Sequence, residues 1–558
     1  MLKKIAACVL GATLPLLAGC GSSSAVGNTG AIGAEVLGTA QIISPSGCEV
    51  APYPSLQWTQ CEAQNVLISQ ENEIPDAAIL PQVLAATLAY QAMRLKVVLT
   101  DPERQPNPNF CTLPCPIDPR LQHWADGSGI VAPVLYTSRS GATMSGHVWA
   151  TRSGPAKRPG IVIINGSIIG YDQVYWYAAQ ALAKAGFVVL TFDPQGEGMS
   201  DQFGQAPDQL EDAFAGTPAL GLLGPIPATG PGLGGNGLPF YDGGEDALDF
   251  FLSTPSSPYV PIPSRTSGTS HNAKQQRRVA AGLNAAYNPL WQMLDPSSIG
   301  LAGHSYGAVA SSWLAQQDPR VSAEVAWDSL CVPTWPSPDE LLAFLGAPVN
   351  NPSDGIFFLN GFAPECFTAP APPAPAITKP ALGLNGDYIA PVPYLVPPRP
   401  TDKALGSLTY TNNGVDSGNI TIRGGSHLEF NDAPIGVLPA SLRGIDLTTW
   451  YTVAWFAKYL QHDPKADAML LTARWRDDAA TGAVDPGKDP NLYSWHYKSR
   501  LDLTLANGQH YDCEDLRDGC SGQLTPAEDC GPAAYSFVAI DTAPDTAPTP
   551  SCQTAQQN

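Results

Sequence analysis

The sequence predicts an α/β fold: a central, mostly parallel β-sheet with helices on both faces. Three observations carry that expectation. First, Ile161-Val162-Ile163-Ile164 and Phe187-Val188-Val189-Leu190-Thr191-Phe192 are apolar with little or no alternation, as strands covered on both faces must be. A helical pattern from Gln173 to Lys184, closed by Gly186, lies between them, so the three form a right-handed crossover unit. Second, the apolar run Ile299-Gly300-Leu301-Ala302 turns sharply at Gly303-His304-Ser305-Tyr306-Gly307 and continues into a helical segment, Ala308 to Leu314. Third, 558 residues at 44% hydrophobic and 14% charged can bury a large core, enough for one main domain with elaborations.

From the N-terminus, Met1-Leu2-Lys3-Lys4 and the apolar run Ile5 to Leu17 give a basic start and a stretch too short to span a bilayer, the pattern of an export signal over residues 1–19. Its end, Leu17-Ala18-Gly19-Cys20, resembles the bacterial lipobox. That resemblance implies cleavage before Cys20, lipidation of its thiol and, with Gly21 following, an outer-membrane destination in a cell with two membranes. Residues 20–47 are small and rich in glycine and serine, a flexible tether. Residues 48–129 form an accessory segment with a helix between Ile74 and Leu99.

Leu135-Tyr136-Thr137 and Met144 to Trp149, joined by a turn at Gly141, alternate as two strands. Asp193-Pro194-Gln195-Gly196-Glu197-Gly198-Met199-Ser200 reads as a structural rim turn after the next strand. Residues 202–239 are crowded with glycine and proline, an insertion that is either a covering loop or a surface excursion. Asp242 to Leu252 is an amphipathic helix with Glu245, Asp246 and Asp249 outward. A second insertion, about 256–296, contains Lys274-Gln275-Gln276-Arg277-Arg278, expected as a solvated helix face near the site mouth.

Beyond the turn at Ser305, strands are expected at Val325 to Asp328, at Ala381 to Asn385 ending in Gly386-Asp387, and at Asn419 to Arg423 followed by Gly424-Gly425-Ser426-His427. A helix from Thr448 to Leu460 closes the domain, and residues 476–558 read as a cysteine-containing extension with little periodicity. Ten cysteines remain once Cys8 and Cys20 are set aside, an even number that suits up to five disulfides in an oxidising compartment; Cys48 with Cys61 and Cys331 with Cys366 are plausible pairs. Cys111-Thr112-Leu113-Pro114-Cys115 lacks a second ligand pair, and the acidic turns at Asp485, Asp489 and Asn491 and at Asp512 to Asp518 lack the glycine and closing glutamate of a calcium loop, so no metal is expected. With 29 Lys and Arg against 50 Asp and Glu, the net charge of −21 argues against nucleic acid and against electrostatic attachment to anionic lipid, leaving a lipid anchor as the only membrane contact.

Gly303-His304-Ser305-Tyr306-Gly307 occurs once in the chain, with an apolar strand before it and an alanine-rich helix after it. Through this motif and its neighbours, roughly residues 130 to 475 resemble the α/β-hydrolase superfamily. The resemblance implies that Ser305 stands on a strained turn as a nucleophile, and that the triad follows in the order Ser, Asp or Glu, His. A hydroxyl needs a base to take its proton, and the base needs an acid to orient it and stabilise its charged form. His427 lies after the last strand, where the superfamily places its base. Asp387, ending the strand before, is the preferred acid; Asp328, directly after the next strand beyond Ser305, is the alternative used in some branches. The oxyanion donors would be the main-chain N–H groups of Tyr306 and of Ser167, in the loop Asn165-Gly166-Ser167 where Asn165 replaces the superfamily's histidine. His304 is expected as a packing residue, and His462, His496 and His510 as surface or tail residues.

The expected activity is cofactor-free hydrolysis of a carboxylic ester, small or polymeric, by an exported serine hydrolase. An amide or peptide hydrolase with the same triad is one alternative, and a non-catalytic surface binding protein on a hydrolase scaffold is another.

Overall fold

The computed structural model describes residues 47–106, 117–202, 238–333, 374–388, 402–432, 441–472 and 492–524, apart from short gaps at 53–54, 71–79, 167–170, 266 and 329, together with 217–218, 225–226 and 366. The chain divides after Cys48, and the second unit, Glu49 onward, holds the central sheet and the helices that cover it. The expected tether, the 202–239 insertion for the most part, Cys20, Cys111, Cys115, Ser167 and the acidic turn at 485–491 lie outside the described residues.

The architecture is α/β. One ten-stranded sheet consists of β1 (Gly129–Thr137), β2 (Thr143–Thr151), β3 (Arg158–Ile164), β4 (Val188–Asp193), β5 (Leu294–His304), β6 (Val321–Trp327), β7 (Ala381–Tyr388), β8 (Ser417–Ser426), β9 (Arg500–Thr504) and β10 (His510–Cys513). Its order is β1-β2-β4-β3-β5-β6-β7-β8-β9-β10. The six strands from β4 to β8 run parallel, and antiparallel pairs stand at both edges. The unalternating apolar runs have their expected cause in β3, where Ile161 and Ile163 join the core on one face and Val162 and Ile164 the core on the other.

The first two helices are α1 (Leu56–Gln70) and α2 (Leu80–Thr100); α3 (Trp176–Lys184) follows β3. Then come α4 (Leu238–Phe251), α5 (Asn272–Ala280), α6 (Tyr306–Gln317), α7 (Leu405–Asn412), α8 (Leu442–Leu460) and α9 (Lys465–Leu471). Helices α3 and α8 cover one face of the sheet, through residues such as Tyr177, Leu182, Trp450 and Phe456; α4 and α6 cover the other, through Leu248, Phe251, Val309 and Trp313.

Three expectations are corrected. Asp246 does not face outward on α4: it is buried, and its carboxylate accepts from the main-chain N–H and guanidinium of Arg139. The basic run on α5 is a solvated face only at Gln276 and Arg277. Lys274 and Arg278 are buried, Lys274 donating to Gly141 O at 2.5 Å and Arg278 pairing with Asp101 and Glu103, so α5 packs on the edge strand β1. The region after 475 is not merely a tail, because β9 pairs antiparallel with β8 and β10 with β9, extending the central sheet. Short alternating strands at an edge give too little periodicity to be read from sequence.

Two disulfides are formed as Cys331–Cys366 and Cys513–Cys520, and Cys48 and Cys61 are also disulfide-bonded. Helix α1 reaches β8: Asn65 accepts from Arg423 at 2.7 Å, and Glu62 meets His496 in a buried ion pair.

Candidate functional site

The carboxyl ends of β5, β6, β7 and β8 converge on one group of polar side chains. Ser305 follows β5 and precedes α6 with φ 57° and ψ −120°, a conformation that L residues rarely adopt and that persists only where the surroundings fix it. Those surroundings are tight. A Cβ on Gly303 would come within 2.1 Å of Gly307 O, and one on Gly307 within 2.0 Å of Ile164 O, so strand, turn and helix close only with glycine at both places. Ser305 N–H donates to Trp327 O at 2.9 Å, tying the turn to the end of β6.

The next residue on β6, Asp328, is also in the left-handed region, at φ 43°, and is buried. Its Oδ2 lies 2.5 Å from Nδ1 of His427, in the short turn after β8. Its Oδ1 accepts from Lys403 Nζ at 3.1 Å, and Lys403 also donates to Gly386 O. Burial works to raise the Asp328 carboxyl, but Lys403 and His427 outweigh it and hold the group well below the usual carboxylate range.

The structure therefore brings His427 to Asp328, not to Asp387. Asp387 does end β7, as expected, yet its carboxylate accepts from Gly424 N–H at 2.7 Å and from the Ser494 hydroxyl. Burial raises its pKa, against the opposing influence of His496 and these two donors. The physical reason is register: β6 lies beside β5, His304 opposite Trp327, so the residue after Trp327 falls beside the serine turn. Asp387, one strand further, is consumed in bracing the β8 turn. His496 is likewise not a surface residue; burial disfavours its charge, but Glu62 outweighs that and raises its pKa.

His304 carries more than packing. Its Nε2 lies 2.7 Å from His427 O, an acceptor, so Nε2 bears the proton and Nδ1 accepts from the Tyr175 hydroxyl at 2.8 Å. Tyr175 in turn accepts from Gly166 N–H at 3.1 Å. One chain of hydrogen bonds thus runs from the loop after β3, through the serine turn, to the backbone of His427, and the His304 and His427 rings lie 4.7 Å apart. Burial and the neighbouring His427 pull the His304 pKa down to about 3, so the ring is neutral. Tyr306 opens α6, whose first turn is closed by Ala308 and Val309 N–H donating to Ser305 O at 2.9 and 3.1 Å. Gly166 backs the turn from the other side, a Cβ there falling 3.1 Å from Ser305 Cβ. Asn165 does not face this space: its amide donates to Asp193 at 3.1 Å.

Chemically, a serine on a strained turn beside a histidine whose Nδ1 is held by a buried carboxylate can transfer acyl groups, with Nε2 the nitrogen left to handle the proton. Sequence reasoning missed Lys403 and Tyr175. Lys403 follows Thr401-Asp402 in an unremarkable polar stretch, and Tyr175 sits in the first turn of a helix read only for its apolar face. Among the described residues no group of three His, Cys, Asp or Glu side chains could hold a metal ion. A comparison with protein-family models finds no match, and a comparison with curated proteins finds none.

Proposed function

We propose that the chain is an exported serine hydrolase of the α/β-hydrolase type that cleaves carboxylic esters, with Ser305 as nucleophile, His427 as base and Asp328 as acid. The observation that carries this reading is the strained Ser305 turn between β5 and α6 set beside the His427–Asp328 pair. In this mechanism Ser305 Oγ attacks the ester carbonyl carbon as its proton passes to His427 Nε2. The alcohol leaves with that proton, and water, deprotonated by the same nitrogen, releases the acid from the acyl-enzyme. Asp328 stabilises the imidazolium between these transfers. By the sequence reading, the main-chain N–H groups of Tyr306 and Ser167 would stabilise the developing oxyanion, each donor contributing roughly 3 kcal/mol.

Export is supported by the Leu17-Ala18-Gly19-Cys20 ending and by the disulfides, which suit an oxidising compartment. A fluorophosphonate probe should label the wild-type chain at Ser305 and leave Ser305→Ala unlabelled. Turnover of matched ester and anilide substrates then separates an esterase from an amidase, and absence of labelling in folded protein would favour the binding-protein alternative.

A further inference from the structure

The acid of the pair is itself shared, and on that reading of Ser305, His427 and Asp328 a further role emerges. Asp328 offers one oxygen to His427 at 2.5 Å and the other to Lys403 at 3.1 Å, and the side chains of Asp328 and Lys403 are 1% and 3% exposed. The ammonium is not a surface charge passing by: it is fixed by Gly386 O at the end of β7 and stands 5.5 Å from the Tyr497 ring centre. Geometry alone has two effects here. With both oxygens engaged, the carboxylate cannot rotate away from His427. Asp328 and Lys403 also sum to no net charge, so a proton arriving on His427 makes the group cationic, whereas an unshared aspartate would make it neutral.

The other charged or titratable groups facing this place do not supply the missing negative charge. His304 on β5 is neutral and bonded to Tyr175 and to His427 O. Asp387 on β7 feels the Lys403 charge, but its carboxylate is turned to Gly424 and Ser494, with His496 close by and Glu62 of α1 paired to that histidine, and burial raises its pKa. Glu429, two residues after His427, accepts from Ser441 at the start of α8. Arg423 on β8 lies over the Trp495 ring and donates to Asn65.

We propose that Lys403 is a positioning residue of the triad, holding the Asp328 carboxylate against His427 and, by balancing its charge, lowering the pH at which His427 becomes available as a base. At an effective dielectric of about 20, one unit charge about 6–10 Å away, across the carboxylate, changes a proton affinity by about ten- to a hundred-fold.

The test is the pH profile of kcat/KM for a soluble ester with the full chain, its Lys403→Met and Lys403→Gln variants, and the charge-conserving Lys403→Arg. The acid limb should move to higher pH by about one unit in Lys403→Met and Lys403→Gln, a ten-fold change in proton concentration, and return toward its original position in Lys403→Arg. Uniform loss of activity at every pH with the limb unmoved, in folded protein, would overturn the proposal, because a merely structural lysine acts that way. Lys403→Gln keeps a donor for Asp328, so it guards against misfolding, and failure of both neutral variants to fold would also overturn the tuning role. NMR titration of the His427 ring in a Ser305→Ala background, with and without Lys403→Gln, reads the same shift without turnover. Undiminished ester hydrolysis by Ser305→Ala would therefore sink the hydrolase reading while leaving the Lys403 test intact.

Discussion

At Asp328 a strained backbone, a buried carboxylate and two nitrogen partners meet within one residue, and its substitution separates the two candidate acids. Ser305→Ala and His427→Ala should each lower kcat by about a million-fold, the double variant losing little more, because the pair acts as a unit. Asp328→Asn should cost about ten-thousand-fold by leaving the imidazole in the wrong tautomer. Asp387→Asn should leave kcat within about ten-fold and instead lower stability by about 1–3 kcal/mol, through the contacts it makes to Gly424 and Ser494; denaturant unfolding and initial rates on the same preparations decide it. His304 adds a pH signature. Its folded pKa of about 3 lies below the unfolded value of 6.5, so the stability it contributes is present above pH 6.5 and is lost as pH falls toward 3. At pH 5 the loss is about 2 kcal/mol. His304→Gln, which keeps a donor at the Nε2 position without a titrating ring, should flatten that limb of a Tm-against-pH curve. The turn at Ser305 and the place of His427 after a strand were legible in sequence because each sits in a local pattern of glycines beside a strand. Which carboxylate meets His427 was not, since choosing between Asp328 and Asp387 depends on which strands are neighbours and on which donors capture each carboxylate.

Among the elements, the turn after β8 bears the most constraint. Gly424 has φ 67°, and a Cβ there would lie 2.0 Å from Asn65 O, so this turn and α1 fit only with glycine. Gly424→Ala should both strain the backbone and push α1 away, lowering stability by at least about 2 kcal/mol and loosening His427 three residues on; hydrogen exchange of α1 amides should rise with it. The 35-residue span closed by Cys331–Cys366 begins three residues after Asp328. Reducing it should lower stability by about 2–4 kcal/mol, read as a fall in denaturation midpoint under mild reductant. The parallel strands and helices α3, α6 and α8 could be read from periodicity, because burial on both faces or on one stripe writes itself into the sequence. The pairing of α1 with β8 could not, since it depends on one hydrogen-bonded Asn, one buried Glu and a positive-φ glycine far apart in the chain.

Across the whole molecule, charge and cysteine usage pointed away from nucleic acid and toward an oxidising compartment, but they gave no sign that the C-terminal region completes the sheet. That arrangement governs when the molecule can exist at all. During synthesis β8 and its histidine turn emerge well before Arg500, and until β9 arrives β8 is an open edge with unpaired backbone groups. Nor can Glu62 meet His496 until the 434 positions that separate them have been made. Contacts so distant in sequence make folding slow and late. A chain made only as far as β8 therefore carries His427 on an uncapped sheet edge, a state exposed to proteases and to aggregation. The order of synthesis thus makes β9 a late cap on the sheet edge that carries His427.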